Sequence, residues 1–164
     1  MNFMTKLTFA AMTLAMAFVI MAPAVPAFAA DGDAVIEKRK KFMKKEILAP
    51  FKVIKAFVKN GKGTSADVAS SASALSAAAG KITALYPKGT HRGAYDEKMT
   101  RALPKIWEDW KGFEAAAASL AAESAKLAQV AAGGDADAIA AQFGMTGKKG
   151  CGGCHKPFRG AKVK

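Results

Sequence analysis

Thiols, imidazoles and acids are all scarce in this chain of 164 residues. It holds 2 cysteines and 2 histidines. The cysteines stand at 151 and 154, and a bond across two intervening residues would brace almost nothing. One histidine, His91, is distant in sequence from the other three groups, so a structural zinc site, which needs four ligands, is not available. Acidic residues number 13 against 25 lysines and arginines, a formal net charge of +12. That balance suits solubility and attraction to acidic surfaces. The basic residues are spread along the chain rather than gathered into a nucleic-acid patch. Strand-type alternation is nearly absent, and beyond the first thirty or so residues no apolar run is long enough to span a bilayer.

The opening residues read as a secretory signal peptide, residues 1–29, leaving a domain over 30–164. Lys6 is the single charge ahead of an apolar run from Leu7 to Met21 broken only by threonines. Pro23 and Pro26 follow, then Ala27-Phe28-Ala29, a small-x-small cleavage pattern. Processing would leave about 134 residues, one domain with one core, carrying about +11 charges. Export predicts a periplasmic protein with no stable membrane span after cleavage and no role on nucleic acid.

What remains predicts an all-α fold, an antiparallel four-helix bundle. The first segment, near 33–59, sets Ile36, Met43, Ile47, Phe51, Ile54 and Val58 at helical spacing. Pro50 should bend or loosen it, and Asn60-Gly61-Lys62-Gly63 stops it. The second opens at Thr64 with Asp67 three residues on, as in a capping box. Its inner face runs from Val68 to Tyr86, and Pro87 ends it. A loop of about sixteen residues follows, in which His91 reads as solvated. The third helix opens at Pro104 and closes at Gly133-Gly134; Asp135 caps the fourth. Along one side of that last helix lie Ile139, Phe143, Gly147, Cys151, Cys154, His155 and Phe158.

The run Cys151-Gly152-Gly153-Cys154-His155 is the attachment signature of a c-type haem. Two thiols three positions apart can lie on one side of a helical turn and bond both vinyl groups of a porphyrin. His155 then offers its imidazole to the iron as the proximal ligand. A thioredoxin-like redox pair would need a βαβ context, which the helical pattern lacks. Of the second axial position, the residues alone leave two readings: Met43 on the first stripe is either core filling or an iron ligand. Arg39 sits one turn before Met43, and a guanidinium beside an apolar stripe needs an anion or a route to water. Haem propionates would supply the anion; snorkelling to solvent is the other outcome.

In these features the chain resembles the class II cytochromes c, cytochrome c′ and its low-spin relative cytochrome c-556. The resemblance runs through Asp33 to Arg39 with Met43, Leu85-Tyr86-Pro87-Lys88-Gly89-Thr90, Pro104 to Trp110 with Phe113, and Cys151 to His155 with Phe158-Arg159. It implies one haem c held by Cys151 and Cys154, His155 as proximal ligand, Arg39 near a propionate and Arg159 beside the proximal histidine. Met43 matches the distal position. High-spin c′ members keep a non-ligating residue there and leave iron five-coordinate and open to small gases such as nitric oxide; c-556-like members ligate through methionine. On this resemblance the reading is an electron-transfer carrier with His155 and Met43 as axial ligands, the gas-binding module being the alternative. Pro157, two residues after His155, departs from the family pattern and should disturb the helix there.

Nothing in the sequence offers a distal acid–base histidine, so the protein reads as a non-enzyme. Its expected partners are transient acidic redox proteins, with a homodimer through the first two helices implied by the resemblance. Protein made with functional haem-attachment machinery should exceed its polypeptide mass by one haem, and Cys151→Ala with Cys154→Ala should abolish the covalent link. Intact mass spectrometry checks both.

Overall fold

Helix signals in the sequence become four helical arms in the computed structural model, which describes residues 29–163. The expected signal segment lies outside these residues apart from Ala29. The first arm is α1 (Ala29–Phe42), a wide π-helical turn (Met43–Leu48) and α2 (Ala49–Asn60). The second is α3 (Ser65–Ala79), followed by a 3-10 turn, Thr83–Leu85. The third comprises α4 (Lys105–Glu108) and α5 (Trp110–Ala132). The fourth is α6 (Ala136–Met145), a second π-helical turn (Thr146–Cys151) and α7 (Gly152–Phe158). Among the described residues there are no strands, only two isolated bridges. The fold is an all-α four-helix bundle.

Local chemistry explains where the arms begin and end. Gly61 takes φ +62°, the left-handed conformation that stops a helix, and its amide donates to Phe57 O at 2.9 Å. Thr64 and Asp67 form the expected capping box, with amide contacts of 2.8 and 3.1 Å. Asp135 accepts from the amides of Asp137 and Ala138. The third arm differs from the continuous helix expected after Pro104. It breaks at Asp109 (φ −126°, ψ 61°), whose carboxylate accepts from Gly112 N at 3.1 Å and so starts α5 afresh.

Pro50 does not end the helix: Leu48 (φ −73°, ψ −32°) and Ala49 (φ −66°, ψ −52°) stay helical, and the backbone is loosened just before the proline into the π-helical turn Met43–Leu48. Pro157 is likewise carried inside α7, which ends one residue later; Arg159 is then extended (φ −120°, ψ 119°) and pairs with Ala102.

The core joins Ile54, Val68, Leu75, Ile106, Phe113, Leu120, Leu127, Ile139 and Phe158, with α3 and α5 as its central pair. The fourth arm corrects the expected stripe. Its buried line is Ile139, Gln142, Thr146 and Gly150, while Phe143, Gly147, Cys151 and Cys154 are only half-buried. Glu123 of α5 sets this rotation: Gln142 Nε2 donates to its carboxylate at 2.8 Å, and Thr146 Oγ1 donates to its carbonyl at 3.2 Å. Glycine at 150 permits the close approach, since a Cβ there would stand 2.8 Å from Leu120 Cδ1 and 3.1 Å from Leu120 Cα. The apolar line thereby lies at the edge of the core, packed against it, and Phe143 meets Phe51 at 5.1 Å between ring centroids.

Gly150→Ala should destabilise the holoprotein by about 1–3 kcal/mol, because backbone on α5 cannot yield as a side chain can. Gly144→Ala meets nothing within 4 Å of the new Cβ. It should stabilise α6 by about 0.5–1 kcal/mol. Paired thermal melts check the opposite signs.

Candidate haem-binding site

The second wide turn ends at Cys151, and α7 carries Cys154 and His155. Both thiols are free, half-buried and packed against the hydrophobic core. Burial pushes the Cys151 thiol above its ordinary range. Burial and the neighbouring Cys151 push Cys154 up to about 11. A disulfide oxidoreductase works through a thiolate of lowered pKa, so this pair is unsuited to that chemistry. His155 reaches the surface, yet partial desolvation, then Arg159 and Arg101, hold its pKa below the usual value. The imidazole is thus neutral at neutral pH, the form that binds a metal.

Arg39 is buried, with 4% of its surface exposed. Nη1 donates to Thr90 Oγ1 at 3.2 Å, and Nη2 donates to Thr90 O at 3.1 Å and to Thr100 Oγ1 at 2.8 Å. Its guanidinium carbon lies 4.4 Å from the centroid of the Tyr86 ring, a cation–π contact. Burial lowers its pKa, opposed by Tyr86. Among the described residues no carboxylate lies within ion-pair distance of it. The snorkelling alternative is therefore excluded: this arginine points inward.

Tyr86 is where the first arm and the motif helix meet. Burial raises its hydroxyl pKa, and it feels the charges of Arg39, Cys154 and Arg159. Its ring packs on Phe113 at 4.8 Å, and Phe113 packs on Phe158 at 5.4 Å. Trp107 Nε1 donates to Tyr86 O at 3.1 Å. Sequence reasoning placed Tyr86 on an inner face and quoted Thr90 within the Leu85 to Thr90 run, but assigned neither a role at the site, and it did not single out Thr100. An aromatic at a helix end before proline was the available signal. His91 also differs from the solvated residue expected: it is half-buried, its ring 5.6 Å from that of Trp107.

Met43 opens the first wide turn, one helical turn after Arg39. It is half-buried, and among the described residues it lies outside the core that its neighbours Phe42 and Ile47 join. Arg159 is exposed at the end of α7, near enough to His155 to depress its pKa. The structure thus gathers Arg39, Tyr86 and Cys154 into one cluster, with His155 and Arg159 along its motif side. Among the described residues, no backbone packing like that between α3 and α5 joins α1 to α7.

These residues fit a haem c. Two neutral thiols sit on an apolar bed, and a buried cation with no carboxylate awaits an anionic group. At Gly153, next to Cys154, and at Gly147, one turn before Cys151, a Cβ would find nothing within 4 Å.

The family model described as Cytochrome C' matches residues 34–159. The chain belongs to the cytochrome c′ family. Cytochrome c′ of Halomonas halodenitrificans is 39% identical over 75 residues, covering 45% of this chain and 56% of the relative. That of Allochromatium vinosum is 32% identical over 100 residues, covering 60% and 64%. The chain thus aligns with less than two thirds of the length of these curated relatives. Solved structures extend the likeness: cytochrome c′ from Thermochromatium tepidum has a TM-score of 0.66 at 28% identity, covering 79% of this chain and 97% of that one. For Rubrivivax gelatinosus the values are 0.64, 29%, 78% and 96%. A c-type cytochrome fold with covalent haem is what this family implies.

Arg39→Ala removes three hydrogen bonds and the cation over Tyr86. The expected loss in the holoprotein is on the order of 2–4 kcal/mol by denaturant unfolding. Arg39→Lys should recover less than half of it, because an ammonium cannot span Thr90 and Thr100 as the guanidinium fork does.

Proposed function

We propose that the protein is an exported, periplasmic c-type cytochrome whose distal side receives a small gas such as nitric oxide, with Met43 as a steric gate. Membership of the cytochrome c′ family carries this reading, because that branch of the class II cytochromes leaves iron five-coordinate. Met43 is suited to gating: it is half-buried, outside the core, and on an irregular turn. Displacing it asks for side-chain motion rather than repacking.

When bound, the haem supplies one iron that can take up an electron or a small ligand. The chain's own residues do the rest. Cys151 and Cys154 would hold the porphyrin edge, and His155 would offer its imidazole. Arg39 would neutralise a propionate from inside the protein. Tyr86, Phe113 and Phe158 would exclude water from the attachment side.

The His155/Met43 electron carrier is the second reading, and one observation favours it. Met43 is the thioether placed one turn from Arg39 and left free of core packing. The absorption spectrum in both oxidation states separates the two. On the gas-binding reading the wild type is high-spin at neutral pH, and Met43→Ala keeps that spectrum while speeding nitric oxide binding about tenfold, a barrier change of about 1.4 kcal/mol. A low-spin wild type that turns high-spin in Met43→Ala would establish ligation and the carrier reading instead.

A further inference from the structure

The segment after the Arg92 turn and the chain's last residues come together by backbone pairing. Arg92 N donates to Ala102 O at 2.8 Å, Leu103 N to Phe158 O at 3.1 Å, and Gly160 N to Arg101 O at 2.8 Å. This pairing places Arg101 opposite Gly160 and Ala102 opposite Arg159. Side chains then lock two guanidiniums in place: Arg92 Nη2 donates to Ala161 O at 2.7 Å, and Arg101 Nε to Gly160 O at 2.8 Å. Arg101 and Arg159 therefore stand beside His155, with Arg92 next to Arg101 and exposed Lys156 and Lys162 on the same segment.

Their charge is poorly neutralised. The one carboxylate in range among the described residues is Glu97, 3.8 Å from Arg92 Nη1 and well exposed. Arg92 Nε is buried without a hydrogen-bond partner. Arg101 feels both Arg159 and Arg92 as repulsive neighbours. The fold spends electrostatic energy to hold these cations together, whereas Lys38, Lys40, Lys41, Lys44 and Lys45 of the first arm stand exposed.

We infer that this arginine cluster, at the junction of residues 92–103 with 155–162, is the docking surface for the carboxylate-rich face of a protein partner. Guanidiniums anchored by backbone carbonyls present fixed planar donors, which match carboxylates bidentately. Lysines on the first arm carry similar charge on mobile stems and lack that geometry. The surface adjoins His155, so a docked partner would meet the motif side of the haem. The inference rests on the haem reading for what docking serves, and on the chain's own geometry for where it occurs.

The test uses the holoprotein and a fluorescently labelled deca-glutamate peptide, followed by anisotropy at low ionic strength. Arg101→Gln with Lys162→Gln should weaken binding about tenfold, whereas the equally charged change Lys41→Gln with Lys45→Gln should alter it less than about twofold. Glutamine at 101 keeps a donor for Gly160 O, and Lys162→Gln alone, on an exposed side chain, should still weaken binding measurably. Equal weakening by both pairs would reduce the effect to net charge and overturn the proposal. So would displacement of the peptide by low-millimolar inorganic phosphate, which would mark a small-anion site. Variants that lose binding only to phosphatidylglycerol vesicles, and not to the peptide, would assign the patch to a membrane and equally reject it. Intact mass reports haem attachment separately, so failure of the haem reading is not mistaken for failure of docking.

Discussion

A buried guanidinium with no carboxylate near it among the described residues constrains most of what surrounds it. Arg39 lies on α1, and its terminal nitrogens reach Thr90 and Thr100, fifty-one and sixty-one positions away in sequence. Those contacts fix a long loop that has no regular structure of its own. They also hold Tyr86 beneath the cation, and Tyr86 is the aromatic that looks across to Cys154. Neutral hydrogen bonds lower the cost of burying the charge without cancelling it. A ligand bearing carboxylates would complete the arrangement, which is why this residue argues for a haem from a direction independent of the cysteine motif.

Irregular backbone occurs where the chemistry is. One π-helical turn begins at Met43, and the other ends at Cys151. Each is followed within a few residues by a proline, Pro50 or Pro157. A widened turn shifts the faces that follow it relative to those before it. On the fourth arm the shift accompanies a division of labour: Gln142, Thr146 and Gly150 serve the contact with α5, and the thiols lie half-buried at the edge of the core.

The sequence made the arms legible because their boundaries are chemical. Gly61, the Thr64–Asp67 box, Pro104 and Asp135 act where they were expected to act, through bonds local enough to read from neighbours. Helical spacing placed Ile54 and Val68 in the core for the same reason, although Met43, on the same expected stripe as Ile54, lies outside it among the described residues. What escaped was long-range or rotational. Spacing alone placed Phe143, Gly147 and Cys151 on one side with Ile139, but each four-residue step drifts about 40° around a helix, so that line turns away from the face that Gln142, Thr146 and Gly150 keep. Thr90 and Thr100 carry no local signal of their role; only the fold brings them to Arg39. Asp109 was invisible as a break because its cap on Gly112 looks, in sequence, like any acid in an amphipathic helix. The motif residues themselves were readable, being a chemical signature rather than a geometric one.

Charge around the motif has a consequence for the iron that the attachment chemistry does not. Arg39 stands on one side of Tyr86, and Arg101 and Arg159 bear on His155. A haem held at Cys151 and Cys154 would sit among these cations, and positive surroundings favour whichever oxidation state carries less positive charge. They therefore stabilise the reduced form, while a propionate paired with Arg39 works in the opposite sense. The two influences differ in access. Arg39 is sealed inside and its effect is fixed, whereas the arginines beside His155 are reachable from solvent, and salt or a docked acidic face can screen them. The chain thus sets a sealed cation at Arg39 apart from solvent-facing ones at Arg101 and Arg159, and only the second kind is open to screening.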